Sequence, residues 1–151
     1  MTDRPDNPVE LRARALRLLA RREHSRAELE RKLGPHAGSS EAVAGILEAL
    51  AQKTQLSDER YAEERVRVLS RKYGAARIRQ DLKAKGVDSQ LIARVSTDGE
   101  LERARSILGR KYREPAATRE QRAKRMRFLQ SRGFSREIIR GALGLSSADT
   151  E

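Results

Sequence analysis

The chain has 151 residues and no cysteine, which excludes disulfide bonds, thiolate catalysis and cysteine metal sites. Aromatic residues make up only 3% and Trp is absent, so a core has to be assembled from aliphatic side chains, which favours helices over a sheet. The net charge is +11, no apolar run approaches the roughly 20 residues of a membrane span, and the acidic N-terminus is not typical of a signal peptide. We therefore expect a cytoplasmic protein.

The first predicted elements are a tail and a set of three helices. Residues 1–8 hold two prolines and no apolar period, so they are predicted to form a flexible tail. Residues 9–53 then show the apolar spacing of helices. Ser25 and Glu28 form a capping box that opens the second helix, and the Gly- and Ser-rich segment 34–40 separates it from the third. Together these helices are the first predicted three-helix repeat.

Two further sets follow the same plan. Residues 56–96 are predicted to form a second three-helix repeat, which Ser57 opens as an N-cap. Residues 98–144 are predicted to form a third, in which Thr118 begins another capping box. Residues 145–151 are predicted to fray. The chain is thus expected to hold nine helices in three sets of three.

Two stretches spaced 47 residues apart, "LKAKGVDSQLI" and "LQSRGFSREII", carry the same helix corner. In each, a glycine (Gly86 or Gly133) ends a helix with φ > 0, the next apolar residue turns back onto the opening leucine, and an Asp or Ser caps the next helix. The run "VLSRKY" (68–73) also recurs as "ILGRKY" (107–112). These matches indicate an internal repeat.

The repeats predict an all-α protein of three tandem three-helix repeats. Each set holds only about a dozen apolar residues, which is too few for an independent domain. Neighbouring sets should therefore pack on one another, as in other repeat proteins. The expected architecture is an elongated array that can also curve.

The basic residues are concentrated towards the C-terminus. Residues 9–53 carry 9 basic and 6 acidic residues, 57–96 carry 10 and 6, and 102–140 carry 13 and 4. Such a gradient suggests a polyanionic or acidic partner at the C-terminal end. A well-solvated helical surface is the alternative interpretation, and the charge count by itself leaves it open.

Catalytic motifs are absent from the sequence. It has no phosphate-binding GxxxxGK[ST] loop, no GxGxxG after a strand and no HExxH. His24 and His36 lie on different predicted elements, and Ser25 is explained by its role as a helix cap. Neighbouring carboxylates such as Glu63 and Glu64 lie beside arginines and are explained by solvated ion pairs. We expect no enzymatic activity, no cofactor and no metal site.

A binding role therefore remains, and one version of it is direct recognition of DNA. The corners resemble helix-turn-helix units, in which a presented helix carrying Arg136 and Arg140 would enter the major groove. That helix, however, lacks the Asn and Gln residues that read bases. The corners are also needed simply to pack the helices.

Five segments in order resemble one protein family. "ALRLLARREHSRAELERKL", "LSDERYAEERV", "YGAARIRQDLKAKGV", "RKYREP" and "RFLQSRGFSREII" are similar to the RecX family, regulators of the bacterial recombinase RecA, over about residues 12–143. The family often has glycine before the hydrophobic residue that opens the second repeat, where this chain has Gln55. The resemblance implies a cytosolic, non-catalytic protein that binds RecA and its DNA filament. It further implies inhibition of strand exchange, ATP hydrolysis and co-protease activity, and hence an effect on DNA repair and the SOS response.

The candidate binding residues are basic side chains of the second and third sets. They could contact the DNA backbone or an acidic recombinase surface, and both alternatives stay open at this point. Arg119, Lys124 and Arg127 are predicted to point outward from one helix. We expect a monomer with no membrane contact. The candidate residues are Arg71, Lys72, Arg77, Lys83, Arg119, Arg122, Lys124, Arg125, Arg127, Arg132, Arg136 and Arg140.

Overall fold

The computed structural model describes residues 4–145, and within them the chain forms nine α-helices, one 3-10 turn and no strand. The predicted all-α class with three three-helix repeats is confirmed. Two predicted segments lie largely outside the described residues. They are the first three residues of the tail and, apart from residue 145, the segment 145–151 that was predicted to fray. The helices are α1 (Pro8–Arg21), α2 (Arg26–Leu33), α3 (Ser40–Gln52), α4 (Asp58–Leu69), α5 (Ala75–Ala84), α6 (Ser89–Ala93), α7 (Glu100–Lys111), α8 (Arg119–Ser131) and α9 (Arg136–Leu143).

The predicted N-caps are present. The Ser25 hydroxyl accepts a hydrogen bond from the Glu28 amide, and the Glu28 carboxylate accepts one from the Ser25 amide, which completes the capping box of α2. Thr118 forms the same box at the start of α8, and the Ser57 hydroxyl accepts from the Arg60 amide at the start of α4. These side chains satisfy amides that have no partner inside the helix.

Both glycine corners have the predicted Schellman geometry. Gly86 has φ +76° and Gly133 has φ +89°, a region open to glycine and costly for most other residues. At the first corner the Val87 amide donates to the Leu82 carbonyl at 3.0 Å. At the second, the Phe134 amide donates to the Leu129 carbonyl, five residues earlier, at 3.3 Å. The internal repeat is therefore a repeat of backbone hydrogen bonds.

Each corner packs against an earlier part of the chain. The Lys85 carbonyl accepts a hydrogen bond from the Ser25 hydroxyl at 2.8 Å, so this corner lies at the N-terminus of α2. The Arg132 carbonyl accepts from the Gly74 amide at 2.7 Å, which places the second corner at the N-terminus of α5. The two corners thus dock in the same manner. Each joins one helix set to the set before it in sequence.

Residues 4–7 contact the 3-10 turn that follows α2 and the first turns of α1. The Asp6 amide donates to the His36 carbonyl at 2.8 Å, and the Asp6 carboxylate pairs with Arg14. Arg4 pairs with Glu10 on α1. This part of the predicted tail therefore makes specific contacts, and α1 begins at its final residue, Pro8.

The described chain divides into two compact units. The first unit comprises residues 4–64 and Leu82–Ile92, and the second comprises Arg65–Asp81 and residues 93–145. The boundaries fall inside α4, α5 and α6, so the middle set contributes to both units. The first unit has a core of leucines with Ala15 and Val43. The core of the second combines α7, α8 and α9 around the fully buried Leu129.

The first unit also buries a polar cluster. Glu28 is only 2% exposed, and burial alone would raise its pKa. Hydrogen bonds from Arg22 and Tyr61 outweigh that effect and lower the pKa of Glu28 to about 2. Burial lowers the pKa of His24, whose Nδ1–H donates to the Arg22 carbonyl and whose Nε2 accepts from Lys32. The cluster therefore favours a charged Glu28 and a neutral His24.

Candidate functional site

The basic excess belongs almost entirely to the second unit. The described residues of the first unit hold 13 Arg and Lys against 12 Asp and Glu, whereas those of the second hold 20 against 7. The difference in charge is larger between the two units than between the parts of the linear sequence, because residues 65–81 fold with the C-terminal helices. A net charge of +13 on one compact unit produces a strong positive potential that favours anionic partners.

The ends of three helices of this unit surround an open hollow of about 500 Å³, which we call the basic hollow. Residues that follow α4, the C-terminal turn of α7 and the outer face of α8 form its lining. No carboxylate is among the lining residues. The lining residues are Arg71, Lys72, Tyr73, Ile107, Arg110, Lys111, Phe128 and Arg132.

Aromatic rings contact two cations of the basic hollow, Lys111 and Arg132, and the neighbouring Arg77. The Arg132 guanidinium lies 5.4 Å from the centre of the Tyr73 ring and 5.1 Å from that of Phe128. The Lys111 ammonium lies 4.5 Å from the Phe128 ring centre, and the Arg77 guanidinium lies 4.8 Å from that of Tyr73. These distances are within the range of cation–π attraction. The rings therefore favour defined positions for side chains that would otherwise move freely.

Backbone contacts fix the helix ends around the hollow. The Arg110 guanidinium donates to the Arg71 carbonyl at 2.5 Å, which ties the end of α7 to the turn that follows α4. The Arg77 guanidinium donates to the Ser131 carbonyl at 3.0 Å, which ties α5 to the end of α8. These bonds satisfy carbonyls at helix ends that lack partners within the helix.

A second hollow of about 370 Å³ lies around Tyr112, which contacts Phe128 edge to face at 6.0 Å between ring centres. The Arg125 guanidinium lies 4.5 Å from the Tyr112 ring centre, and its Nε is buried without a hydrogen-bond partner among residues 4–145. Glu114 contributes the one carboxylate of this lining. Its basic lining residues are Arg105, Arg113, Arg122 and Arg125.

Two carboxylates of the second unit have structural roles. Asp81 pairs with Arg65 at 2.9 Å. Glu100 is only 5% exposed and accepts a hydrogen bond from the Ala75 amide at 2.6 Å, so it caps α5 in place of an N-cap side chain. Arg103 approaches the same carboxylate at 3.7 Å. These acids stabilise the fold and leave the cations of the basic hollow without a carboxylate partner.

The structure separates the predicted site residues into five groups. Arg71, Lys72 and Arg132 line the basic hollow with Arg77 beside them, and Arg122 and Arg125 line the second hollow. Lys83 belongs to the first unit, so it does not join the residues with which it was grouped. Arg140 is partly buried, and its Nε has no hydrogen-bond partner within the described chain. The predicted residues exposed outside both hollows are Arg119, Lys124, Arg127 and Arg136.

Sequence reasoning did not select four basic residues that the structure places in the two hollows. The repeated RKY run contained the signal for two of them, because Arg110 and Lys111 occupy the positions of Arg71 and Lys72 in the second copy. No comparable pattern marked Arg105 or Arg113, which line the hollow around Tyr112. Their position depends on how α7 packs rather than on local sequence.

Neither hollow contains a set of metal ligands. Within residues 4–145 there is no group of three or more His, Cys, Asp or Glu side chains arranged to hold a metal ion. None of the described helices is long and apolar enough to cross a membrane. The chemistry available at the surface of the second unit is therefore that of guanidinium and ammonium groups beside aromatic rings.

Comparison with known proteins explains the repeated layout. The chain matches family models described as the first, second and third three-helix domains of RecX over residues 12–48, 57–95 and 98–143. The chain belongs to the RecX family. RecX proteins are named as regulatory proteins, so a regulatory role applies to this chain as well.

Individual RecX relatives match over nearly the whole chain. The chain is 43% identical over 150 residues to Regulatory protein RecX of Herbaspirillum seropedicae, with 97% of each chain covered. It is 41% identical over 138 residues to Regulatory protein RecX of Ralstonia nicotianae, covering 89% of this chain and 87% of that one. The crystal structure of RecX from Lactobacillus salivarius shares the fold, with a TM-score of 0.78, 23% identity and coverage of 91% and 94%.

Proposed function

We propose that this RecX-family chain is a non-enzymatic regulator that binds the RecA recombinase and its DNA filament. It acts in the cytoplasm as a monomer and inhibits strand exchange, ATP hydrolysis and co-protease activity, and so modulates DNA repair and the SOS response. The observation that carries the proposal is the segregation of charge. One compact unit holds 20 basic against 7 acidic residues, in a chain whose relatives are named as regulatory proteins.

The composition of the basic surface supports binding rather than catalysis. Its cations lie in open hollows beside aromatic rings. Two acids of the same unit have structural roles instead, because Asp81 pairs with Arg65 and Glu100 caps α5. General acid–base chemistry needs a titratable group presented to a substrate, and His24 is buried in the other unit. A filament of DNA and recombinase offers the dense negative charge that this surface lacks.

The test is inhibition of DNA-dependent ATP hydrolysis by RecA. We expect inhibition at a chain-to-recombinase ratio well below one, because a regulator that caps or spans a filament acts on many protomers at once. Strand exchange measured in parallel should fall over the same concentrations. No inhibition at a one-to-one ratio, with the chain folded by circular dichroism, would contradict the proposal.

Charge reversal should locate the surface responsible. The variant Arg119→Glu/Lys124→Glu/Arg127→Glu reverses three exposed cations of α8 and should abolish inhibition while the melting temperature stays within about 2 °C. Reversal of Arg17, Arg21 and Arg31, three exposed cations of the first unit, is the matched control and should leave inhibition intact. If the α8 variant inhibits like the wild type, the functional surface lies elsewhere on the second unit.

Direct reading of duplex DNA is the competing outcome. A helix-turn-helix reader would bind one duplex sequence far more tightly than others and leave the recombinase filament unaffected. The described α9 offers little support for that mode, since Arg136 is exposed but Arg140 is partly buried. Duplex binding assays with several sequences should therefore show affinities that agree within about threefold, which is below the cost of one mismatched contact.

A further inference from the structure

We propose that the basic hollow binds the phosphodiester backbone of DNA and recognises phosphates rather than bases. This inference rests on the proposed action on a DNA filament and supplies a specific site for its contact with DNA. The cations of the site are Arg71, Lys72, Arg110, Lys111 and Arg132. They come from two copies of the same short sequence and from the end of α8.

The charge of the hollow is not neutralised by the protein. Five cations line it, no carboxylate does, and none of the five has an ion pair within the described chain. The C-terminal ends of α4, α7 and α8 contribute roughly half a negative charge each. About one and a half negative charges therefore oppose five positive charges, and the remaining repulsion is relieved when an anion binds.

The aromatic rings make the cations ready to bind phosphate. A guanidinium that lies over a ring face keeps the N–H groups of its edge available for donation, and that edge matches two phosphate oxygens. Arg132 contacts both Tyr73 and Phe128, so its position is restrained from two sides. Because ring contacts already reduce the rotamer entropy of Arg132 and Lys111, these two side chains lose less of it when they bind.

The same contacts argue against stacking of bases. Tyr73 is contacted by two guanidinium groups, and Phe128 is contacted by Lys111 and Arg132. Proteins that bind single strands through their bases present aromatic faces to those bases. Here cations occupy the places where bases would stack. Affinity should therefore depend on the number of phosphates and not on base sequence.

The chemistry of the hollow favours a phosphodiester chain over an acidic protein surface. Outside the two rings its lining has one apolar residue, Ile107, whereas protein interfaces bury an apolar or aromatic centre. Five cations around a single hollow require closely spaced negative charges. Nucleic acid supplies them at a regular short spacing along its backbone, and it releases counterions when they are neutralised.

Binding to DNA in the absence of recombinase tests the site. The variant Lys72→Gln/Lys111→Gln removes two lysines whose side chains donate no hydrogen bond to the backbone of residues 4–145, so its fold should be retained. Fluorescence anisotropy with labelled single-stranded DNA should show affinity at least about tenfold lower. The log–log salt slope should fall by about 1.4 for the two lost phosphate contacts. The matched control, Arg17→Gln/Arg31→Gln in the first unit, should bind like the wild type.

Competitors distinguish phosphate from other anions. Inorganic polyphosphate should displace labelled DNA from the wild type at a lower charge concentration than poly-glutamate, and oligonucleotides of different sequence should bind equally. Equal displacement by poly-glutamate would overturn the assignment to phosphate and indicate an acidic protein partner. A wild-type affinity of Lys72→Gln/Lys111→Gln for DNA would overturn the site itself.

Failure of this site is distinguishable from failure of the proposed function. If the hollow variant loses DNA affinity but still inhibits RecA ATP hydrolysis, the phosphate site stands and inhibition does not require it. If the variant keeps both activities, the hollow is not the DNA site and the regulatory proposal survives. If the wild type binds DNA through the hollow but never inhibits RecA, the proposed function is wrong and the site assignment holds.

Discussion

At the scale of single residues, Thr54 is the one described non-glycine residue with positive φ, at +58°. It ends α3 with the same hydrogen-bond pattern as the glycine corners, since the Gln55 amide donates to the Leu50 carbonyl at 2.9 Å. A β-branched residue in this region costs about 1–2 kcal/mol.

Thr54→Gly should therefore stabilise the chain. Relief of the backbone conformation gains about 1–2 kcal/mol, and the added freedom of glycine in the unfolded chain returns about 0.5–1 kcal/mol. We expect a net gain of about 0.5–1 kcal/mol in the free energy of unfolding, measured with urea. Thr97→Gly, at an exposed position without positive φ, is the control and should destabilise. Equal effects of the two variants would exclude backbone strain at Thr54.

Glu28 should make stability depend on pH. Its folded-state pKa of about 2 lies below the ordinary value of 4.5, so the carboxylate contributes stability above pH 4.5 that is lost as the pH falls towards 2. The shift corresponds to about 3 kcal/mol. The wild type and Glu28→Gln should thus differ most in unfolding free energy near pH 7, and the difference should close between pH 4.5 and 2.

A second group, His24, titrates in both proteins. Burial lowers the pKa of His24, which destabilises both proteins as the pH falls below its ordinary value of 6.5, and more so in Glu28→Gln, because the Glu28 charge partly opposes this lowering. Glu30→Gln, an exposed position on the same helix, should change stability by less than about 0.5 kcal/mol at every pH. A difference between wild type and Glu28→Gln that stays constant from pH 7 to pH 3 would show that Glu28 is not held in its charged form.

At the scale of helices, the corners act as docking points as well as turns. An added Cβ on Gly86 would lie 2.5 Å from the Ala27 Cβ, and one on Gly133 would lie 2.6 Å from the Arg77 amide nitrogen. Each corner therefore requires glycine for two separate reasons. One is the positive φ, and the other is the close approach of an earlier helix. The two corners differ in what obstructs them, because the obstacle at Gly86 is a methyl group, whereas at Gly133 it is the Arg77 backbone together with the Arg77 Cβ.

This difference predicts which corner can be rescued. Gly86→Ala should cost more than about 2 kcal/mol, from positive φ and from the clash. In the Ala27→Gly background the clash disappears, and the cost of Gly86→Ala should fall by about 1 kcal/mol in a double-mutant cycle. Gly133→Ala should be rescued far less by Arg77→Gly, since the Arg77 amide remains. Additive effects at Gly86 and Ala27 would show that this corner does not dock on α2.

The helices and corners could be predicted because they depend on nearby residues. A capping box spans four residues and a Schellman corner spans six, so Ser25, Thr118 and both glycines carried their roles in local sequence. The docking of the corners could not be predicted in this way. Ser25 and Lys85 are 60 residues apart, and no local pattern indicates that one donates to the other.

At the scale of the whole molecule, the site was predictable in charge but not in shape. Arg71 and Lys72 were recognised as basic, yet their position beside Phe128 and Arg132 depends on the packing of α4, α7 and α8. Lys83 was grouped with them because it is close in sequence, and the boundary between the units falls between them. Side chains that form a surface through helix packing need the fold before they can be grouped.

The unequal charge of the two units predicts an unequal response to salt. Repulsion among 20 basic and 7 acidic residues destabilises the second unit, and the nearly neutral first unit lacks this effect. The Debye length falls from about 30 Å at 0.01 M to about 10 Å at 0.1 M, which screens that repulsion. Raising salt from about 0.02 to about 0.3 M should therefore slow hydrogen exchange severalfold in α7–α9 and leave α1–α3 unchanged.

A charge-reversed variant separates repulsion from general effects of salt. Lys124→Glu/Arg127→Glu lowers the net charge of the second unit by four at two exposed positions of α8. Its α7–α9 amides should exchange more slowly than those of the wild type at low salt, and their response to added salt should be smaller. If salt instead protects α1–α3 and α7–α9 to the same degree, screening of the basic unit is not the cause. Charge repulsion would then not destabilise the second unit in the free protein. Relief of that repulsion could therefore not contribute to the free energy of binding an anion.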